Sequence, residues 1–167
     1  MNQLFLSLGS NLGNRYENIR KAAYLLNSNN ICISTSSSLY ETKPYGIVHQ
    51  PNFLNVVFKC ISDLEPTNLL RTIKNIEMSI GRSKNIRWGP RIIDIDILLY
   101  DNLIVKTDEL TIPHSELKKR DFFLVPLLEI DSNIIDPETG LPLKKFIPKT
   151  SKNIIHLAPI ELELSKI

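Results

Sequence analysis

Three features of the sequence predict an α+β fold. Runs with alternating apolar residues and runs with a period near 3.6 follow one another in the order strand, helix, strand, strand, helix, strand. Turn-forming residues separate them at Gly9-Ser10, Gly81 and Asp101-Asn102. A length of 167 residues with 43% hydrophobic content suits one domain, residues 1–167, around one core.

The elements follow in order. Leu4, Leu6 and Leu8 alternate with other residues, so Gln3 to Leu8 reads as a first strand that stops at Gly9 and Ser10. Asn14 and Glu17 have capping-box spacing, and Ile19, Ala22, Ala23 and Leu26 recur behind them at helical spacing. Ile31 to Tyr40 is β-branched and Ser-rich, a second strand. Thr42 to Pro51 holds two prolines and Gly46 and reads as a loop, and Phe53 to Ile61 as a third strand. Pro66 can start a helix; Leu69, Ile73, Ile76 and Ile80 give it an apolar stripe, and Gly81 can end it. Ser83 to Pro90 has little periodicity and reads as an exposed loop. Ile92 to Tyr100 is the clearest strand, with Ile93, Ile95, Ile97 and Leu99 on its core face. Leu103 to Val105 is expected to pair with Leu110 to Ile112, and Phe122 to Ile130 to form a short helix despite Pro126. Residues from about 141 to 167 carry no motif. The strand and helix order is the β-α-β-β-α-β arrangement of ferredoxin-like folds, a largely antiparallel sheet with helices packed on it.

Composition narrows the function. No run approaches the roughly 18 apolar residues of a membrane span. The first residues lack the basic flank and cleavage site of a signal peptide, so a cytoplasmic protein is expected, without a membrane partner. Cys32 and Cys60 lie in apolar runs without metal-ligand spacing and read as buried thiols. A net charge of +2 is too small to argue for nucleic acid. A monomer is expected.

Chemistry concentrates around one strand. Asp94 and Asp96 alternate with isoleucines and so share a face, about 7 Å apart. Their repulsion would be relieved by a divalent cation, and carboxylate oxygens without Cys or His partners suit Mg²⁺. Paired aspartate and arginine on a wet strand face is the other reading. Arg82, Lys84, Arg87 and Arg91 precede the strand, and guanidinium forks match phosphate oxygens. Trp88 sits among these charges rather than in an apolar run and could act as a flap. There is no G-x-x-x-x-G-K-[ST] loop and no protein-kinase H-R-D set, so any ATP is bound by another scaffold.

The segment Arg87, Gly89, Pro90, Arg91, Asp94, Ile95, Asp96, Ile97, Leu98 resembles the signature of the 6-hydroxymethyl-7,8-dihydropterin pyrophosphokinases. The likeness continues at Gly9-Ser10-Asn11, Tyr40-Glu41-Thr42, Gln50 to Asn55, Ile76-Glu77, Gly81-Arg82 and Pro113-His114. It implies an enzyme that moves pyrophosphate from ATP to the pterin in folate biosynthesis, with AMP as the second product. It also implies that Asp94 and Asp96 bind two Mg²⁺ ions, that Arg82 and Arg91 neutralise the transferred group, and that Trp88 is the flap. The pterin would lie between Phe53 and Phe122, hydrogen-bonded to Asn55 and read by the backbone at Thr42 and Tyr45. ATP contacts would come from Leu70, Lys74, Glu77 and Ile97, from Thr111, His114 and Arg120, and from the loop cations Arg82, Lys84, Arg87 and Arg91. Glu109, Ser115 and Lys74 depart from the family pattern, which bears on the outer nucleotide contacts. Two rivals remain: an RNA-binding module, which ferredoxin-like folds also serve, and a pterin-binding protein without catalysis. The two acids on the best strand and the absence of RNP1-type aromatics speak against RNA.

Overall fold

The computed structural model describes residues 1–44, 49–81, 89–150 and 153–157, apart from the side chains of 155 and 156. Its strands and helices run β1 (Asn2–Ser10), α1 (Arg15–Ser28), β2 (Ile31–Ser36), β3 (Tyr40–Thr42), β4 (Phe53–Ser62), α2 (Pro66–Ile80), β5 (Asp94–Tyr100), β6 (Val105–Lys106), β7 (Thr111–Ile112), α3 (Asp121–Ile130) and β8 (Ile154–Leu157). A 3-10 turn, Leu143–Phe146, lies between the last two. The four strands of the expected core stand side by side as β5-β1-β4-β2, all antiparallel, which is the ferredoxin-like arrangement. Among the described residues no helix is long and apolar enough to cross a membrane.

Alternation puts different apolar sets on the two faces of the sheet. Leu4, Leu6 and Leu8 of β1 meet Ile19, Ala22 and Leu26 of α1 and Leu69, Ile73 and Ile76 of α2. Phe5 of β1 and Val57 of β4 turn to the opposite face, against Phe123, Leu124 and Leu127 of α3. With both faces covered, β1 is buried from Leu4 onward. Local signals set the helix ends. Asn14 caps α1 by accepting the Glu17 N–H at 3.2 Å. Pro66 opens α2, and Gly81 closes it with a left-handed φ of 113°.

Four expectations are corrected. The strand expected over Ile31 to Tyr40 breaks at Ser37–Leu39: Ser37 donates its N–H to the Val57 carbonyl, and its Oγ accepts the Val57 N–H, so one residue spans the gap between β2 and β3. β5 begins at Asp94 rather than Ile92, because Arg91 is held instead by Asn11 through bonds in both directions. Leu99 does not share a face with Ile97. The β1–β5 register runs Leu6↔Ile97 and then Phe5↔Leu99, so Leu98 is an extra bulged residue that turns Leu99 to the α3 face. Cys32 is exposed on β2, and only Cys60 is buried. The chain beyond 141, in which the sequence shows no motif, supplies the 3-10 turn and β8, which pairs with β3 and extends the sheet.

An added methyl at Gly81 would lie 3.3 Å from Ile92 Cδ1 on a backbone that L-residues avoid. Gly81→Ala should therefore lower stability by about 1–2 kcal/mol, measured as a shift in urea midpoint; an unchanged midpoint would show that the helix end can rearrange freely.

Candidate active site

Where β4, β1 and β5 run side by side, their α3-side face opens into a cleft. Cα register places Asn55 and Asp94 on either side of Gly9, and Asp96 beside Ser7. Gly9 has no side chain for a steric reason. A Cβ there would stand 2.6 Å from Asn55 Oδ1 and 3.6 Å from Phe53 Cδ1. Its absence lets the Asn55 amide lie across β1, where Nδ2 donates to Thr42 Oγ1 at 2.6 Å. Thr42 and Asn55 are both buried.

Asn11, also buried, joins the segments around the cleft mouth. Its Oδ1 accepts the Arg91 N–H at 2.7 Å, and its Nδ2 donates to Gln50 Oε1 and to the Pro51 carbonyl, both at 3.0 Å. Arg15 makes a forked pair with Glu41 and also donates to the Asn52 carbonyl at 2.9 Å. These bonds fix the entry to β4, and so the positions of Phe53 and Asn55.

The two aspartates share the cleft face, as alternation requires. Arg91 Nη1 donates to Asp94 Oδ1 at 2.8 Å, so a paired aspartate and arginine is part of this site. Burial and the neighbouring Asp94 charge push the Asp96 carboxyl up to about 7. His114 Nε2 stands 3.8 Å from Asp96 Oδ1. Burial and the Arg120 charge lower the His114 pKa to about 4, so the ring is neutral near pH 7. Its Nδ1 accepts the Glu116 N–H at 3.1 Å, which assigns the ring hydrogen to Nε2, on the Asp96 side.

The cleft is one of two openings that meet at Asp96. The first is lined by Thr42, Phe53, Asn55, Arg91, Asp94 and Phe122, together with Arg120. The second lies on the far side of Asp96, lined by Leu70, Lys74, Ile97, Thr111 and His114. Three sequence-predicted ATP contacts fall elsewhere. Arg91 and Arg120 line the first opening and not the second, the Arg120 guanidinium 5.7 Å from the Phe122 ring centroid. Glu77 lines neither. It is buried, its Oε1 accepts the Ile95 N–H at 2.8 Å and its Oε2 takes the Lys74 ammonium at 3.0 Å. Ile95 lies between the two aspartates, so Glu77 fixes the backbone that carries them. Glu109 and Ser115 both line the second opening. Tyr45, Arg82, Lys84, Arg87 and Trp88 lie outside the described residues.

Sequence reading missed Ser7 and Lys43, which line the first opening, and the joining role of Asn11. Ser7 could have been found by continuing the face of Asp96 across to β1. Asn11 gave no signal beyond its place in Gly9-Ser10-Asn11.

The donor set suits a hard cation. Two carboxylates face one opening, and among the described residues no cluster of three or more His, Cys, Asp or Glu forms a complete metal cage. Mg²⁺ accepts that arrangement, since it commonly keeps waters and takes one or two carboxylates plus phosphate oxygens.

Residues 5–132 match the family model described as 7,8-dihydro-6-hydroxymethylpterin-pyrophosphokinase. The chain is 46% identical over 151 residues to the 2-amino-4-hydroxy-6-hydroxymethyldihydropteridine pyrophosphokinase of Aquifex aeolicus, covering 90% of this chain and 94% of that protein. It is 40% identical to the enzyme of the same name from Haemophilus influenzae, covering 82% of this chain and 86% of that one. It is 41% identical to the mitochondrial folate synthesis bifunctional protein of Arabidopsis thaliana, over 82% of this chain but only 25% of that longer protein. Among solved structures, an HPPK-DHPS in complex with substrates superposes with a TM-score of 0.70 at 16% identity, over 87% of this chain and 42% of the other, a likeness of fold.

The raised Asp96 pKa predicts a stability profile. The folded value lies above the ordinary carboxylate value of about 3.9. Between the two, the folded state keeps a proton that the unfolded state has released. Stability therefore falls as pH rises from about 4 to about 7 and is flat above. Without metal, Asp96→Asn should withstand more urea than the parent protein at pH 8, and the margin should shrink towards pH 4. Equal midpoints at pH 8 would contradict the half-buried, repelled carboxylate.

Proposed function

This chain belongs to the 7,8-dihydro-6-hydroxymethylpterin-pyrophosphokinase family, and we propose that its two openings divide the reaction between them, pterin in the first and ATP in the second. The enzyme transfers pyrophosphate from ATP to 6-hydroxymethyl-7,8-dihydropterin, giving AMP and the pterin diphosphate, a step of folate biosynthesis. The observation that carries the division of labour is the meeting of the two openings at Asp96.

In the first opening Phe53 and Phe122 offer aromatic faces to a flat heterocycle, and stacking favours such rings. Asn55 and Thr42 lie on the same floor and can hydrogen-bond the polar edge of the pterin. Tyr45 would add a backbone contact. In the second opening Leu70 and Ile97 give apolar surface for the nucleotide, while Lys74, Thr111 and His114 offer donors. His114, neutral with its hydrogen on Nε2, can donate towards phosphate at the junction without a protonation step.

Asp94 and Asp96 would hold Mg²⁺, two ions being expected. When bound, Mg²⁺ supplies positive charge that neutralises phosphate oxygens. The hydroxymethyl oxygen bonds to the β-phosphorus of ATP, the bond from that phosphorus to the α,β-bridging oxygen breaks, and AMP leaves with the oxygen. The hydroxyl proton is released. Phosphoryl chemistry of this kind needs positioning and charge neutralisation more than covalent help. Arg91 stands beside Asp94 and would turn its guanidinium to the transferred group. Arg82, Lys84, Arg87 and Trp88 would complete the nucleotide side.

Incubation with ATP, Mg²⁺ and hydroxymethyl dihydropterin should yield AMP and pterin diphosphate one for one, and Asp96→Ala should abolish turnover. ADP with a pterin monophosphate would overturn the reaction, and full activity in Asp96→Ala would overturn the metal assignment. Phe53→Ala should weaken pterin binding by about 1–3 kcal/mol if stacking on a base is a fair guide, with ATP affinity little changed. Calorimetry with each ligand checks this; equal losses for both would make Phe53 a packing residue.

A further inference from the structure

Asp121 opens α3 at the edge of the first opening, and its carboxylate is buried at 2% exposure. Oδ1 accepts the N–H of Phe122 at 2.8 Å. Oδ2 accepts the N–H of Asn153, at the start of β8, at 2.9 Å. The Asn153 carbonyl in turn accepts the Lys43 N–H at 2.8 Å, and β8 continues along β3 with Thr42 opposite Ile154. Thr42 Oγ1 takes the Asn55 amide. One carboxylate thus joins two walls of the opening, the ring-bearing start of α3 and the β3 wall with Thr42 and Lys43, through a strand far along the chain that packs on β3 from outside the opening. That strand lies beyond residue 132, where the family match ends, so family membership assigns it no part in the site.

We propose that Asp121 is a positioning residue for the pterin clamp, and that through it β8 forms part of the pterin site. The proposal rests on the pterin reading of the first opening. An aspartate in the first turn of a helix can act simply by favouring the helix dipole. That role needs neither burial nor a bond to a residue 32 positions away. A buried carboxylate bonded to two N–H groups has little freedom to move, and neither do the groups it holds. Holding the Phe122 N–H fixes the backbone from which the ring projects. Holding Asn153 keeps β8 against β3, and β3 carries Thr42. The geometry predicts a loss specific to the ligand bound by those walls, since the second opening shares none of these bonds.

The test uses two variants of the full chain. Asp121→Asn keeps the shape but turns one acceptor into a donor that faces an N–H, so one of the two bonds fails. Asn153→Pro removes the N–H from the other end and leaves Asp121 intact. For each, affinity for hydroxymethyl dihydropterin and for a non-hydrolysable ATP analogue with Mg²⁺ is measured by calorimetry, and hydrogen exchange is followed at Lys43 and Phe122, and at Asn153 in Asp121→Asn. Pterin affinity should fall about tenfold in both variants, as expected for a lost bond to a buried charge. The ATP analogue should bind within about twofold of the parent, and kcat at saturating pterin should hold within about threefold. The double variant should lose no more than the larger single loss, because both changes cut one link. Faster exchange at Lys43 and Phe122 in Asp121→Asn would show the walls loosening together. Unchanged pterin affinity in Asp121→Asn, or equal weakening of both ligands with a lowered Tm, would overturn the proposal. A parent protein that fails to bind pterin would overturn the reading of the opening and this inference with it.

Discussion

Two carboxylates on one strand, with one isoleucine between them, are the constraint around which the rest of this site is arranged. Asp94 and Asp96 face the same opening, and bringing them there without a cation costs electrostatic energy that neighbouring groups partly offset. Arg91 pairs with Asp94. Asp96 keeps its proton up to about pH 7. Glu77 holds the intervening Ile95 N–H from beneath, so the repulsion cannot be relieved by peeling β5 away. The result is a carboxylate pair held in place with its charge only partly offset, a setting that a divalent cation would suit.

The two openings draw on different elements. The first uses groups from β1, β3, β4, β5 and α3, and the second uses α2, β5, β7 and the turn at His114. Among the described residues only Asp96 lines both, and under the proposed division of ligands the reacting oxygens would meet beside it. The bulge at Leu98 serves the same end. It lets β5 keep its aspartates in the cleft while feeding Leu99 to the α3 core and Tyr100 to the α1 and α2 core. The carbonyl of that bulged residue accepts the His114 N–H at 3.0 Å, which sets the histidine beside Asp96.

Much of this was legible in the sequence because periodicity and spacing report local geometry. The β-α-β-β-α-β order gave the fold, the shared face of Asp94 and Asp96 followed from alternation, and Gly81 marked a helix end. What stayed hidden depends on partners distant in sequence. The bulge at Leu98 appears only in the register against β1. The backbone role of Glu77 depends on its partner, the Ile95 N–H, 18 positions away. The reason for Gly9 needs Asn55 across the ladder. β8 is four residues long and held by pairing with β3, so its own pattern carried too little signal. Cys32 sits in an apolar run, but on the outward face of β2.

β5 is the last strand of the sheet on its side, and such an edge is normally a template for another chain. Here the Ile95 N–H is taken by a buried glutamate and the Leu98 carbonyl by the His114 backbone. The same contacts that set the aspartates and the histidine therefore withhold two edge groups from an incoming strand. An edge held in this way is guarded against intermolecular β-pairing by its own scaffolding, and loss of the Glu77 carboxylate would free one of those groups.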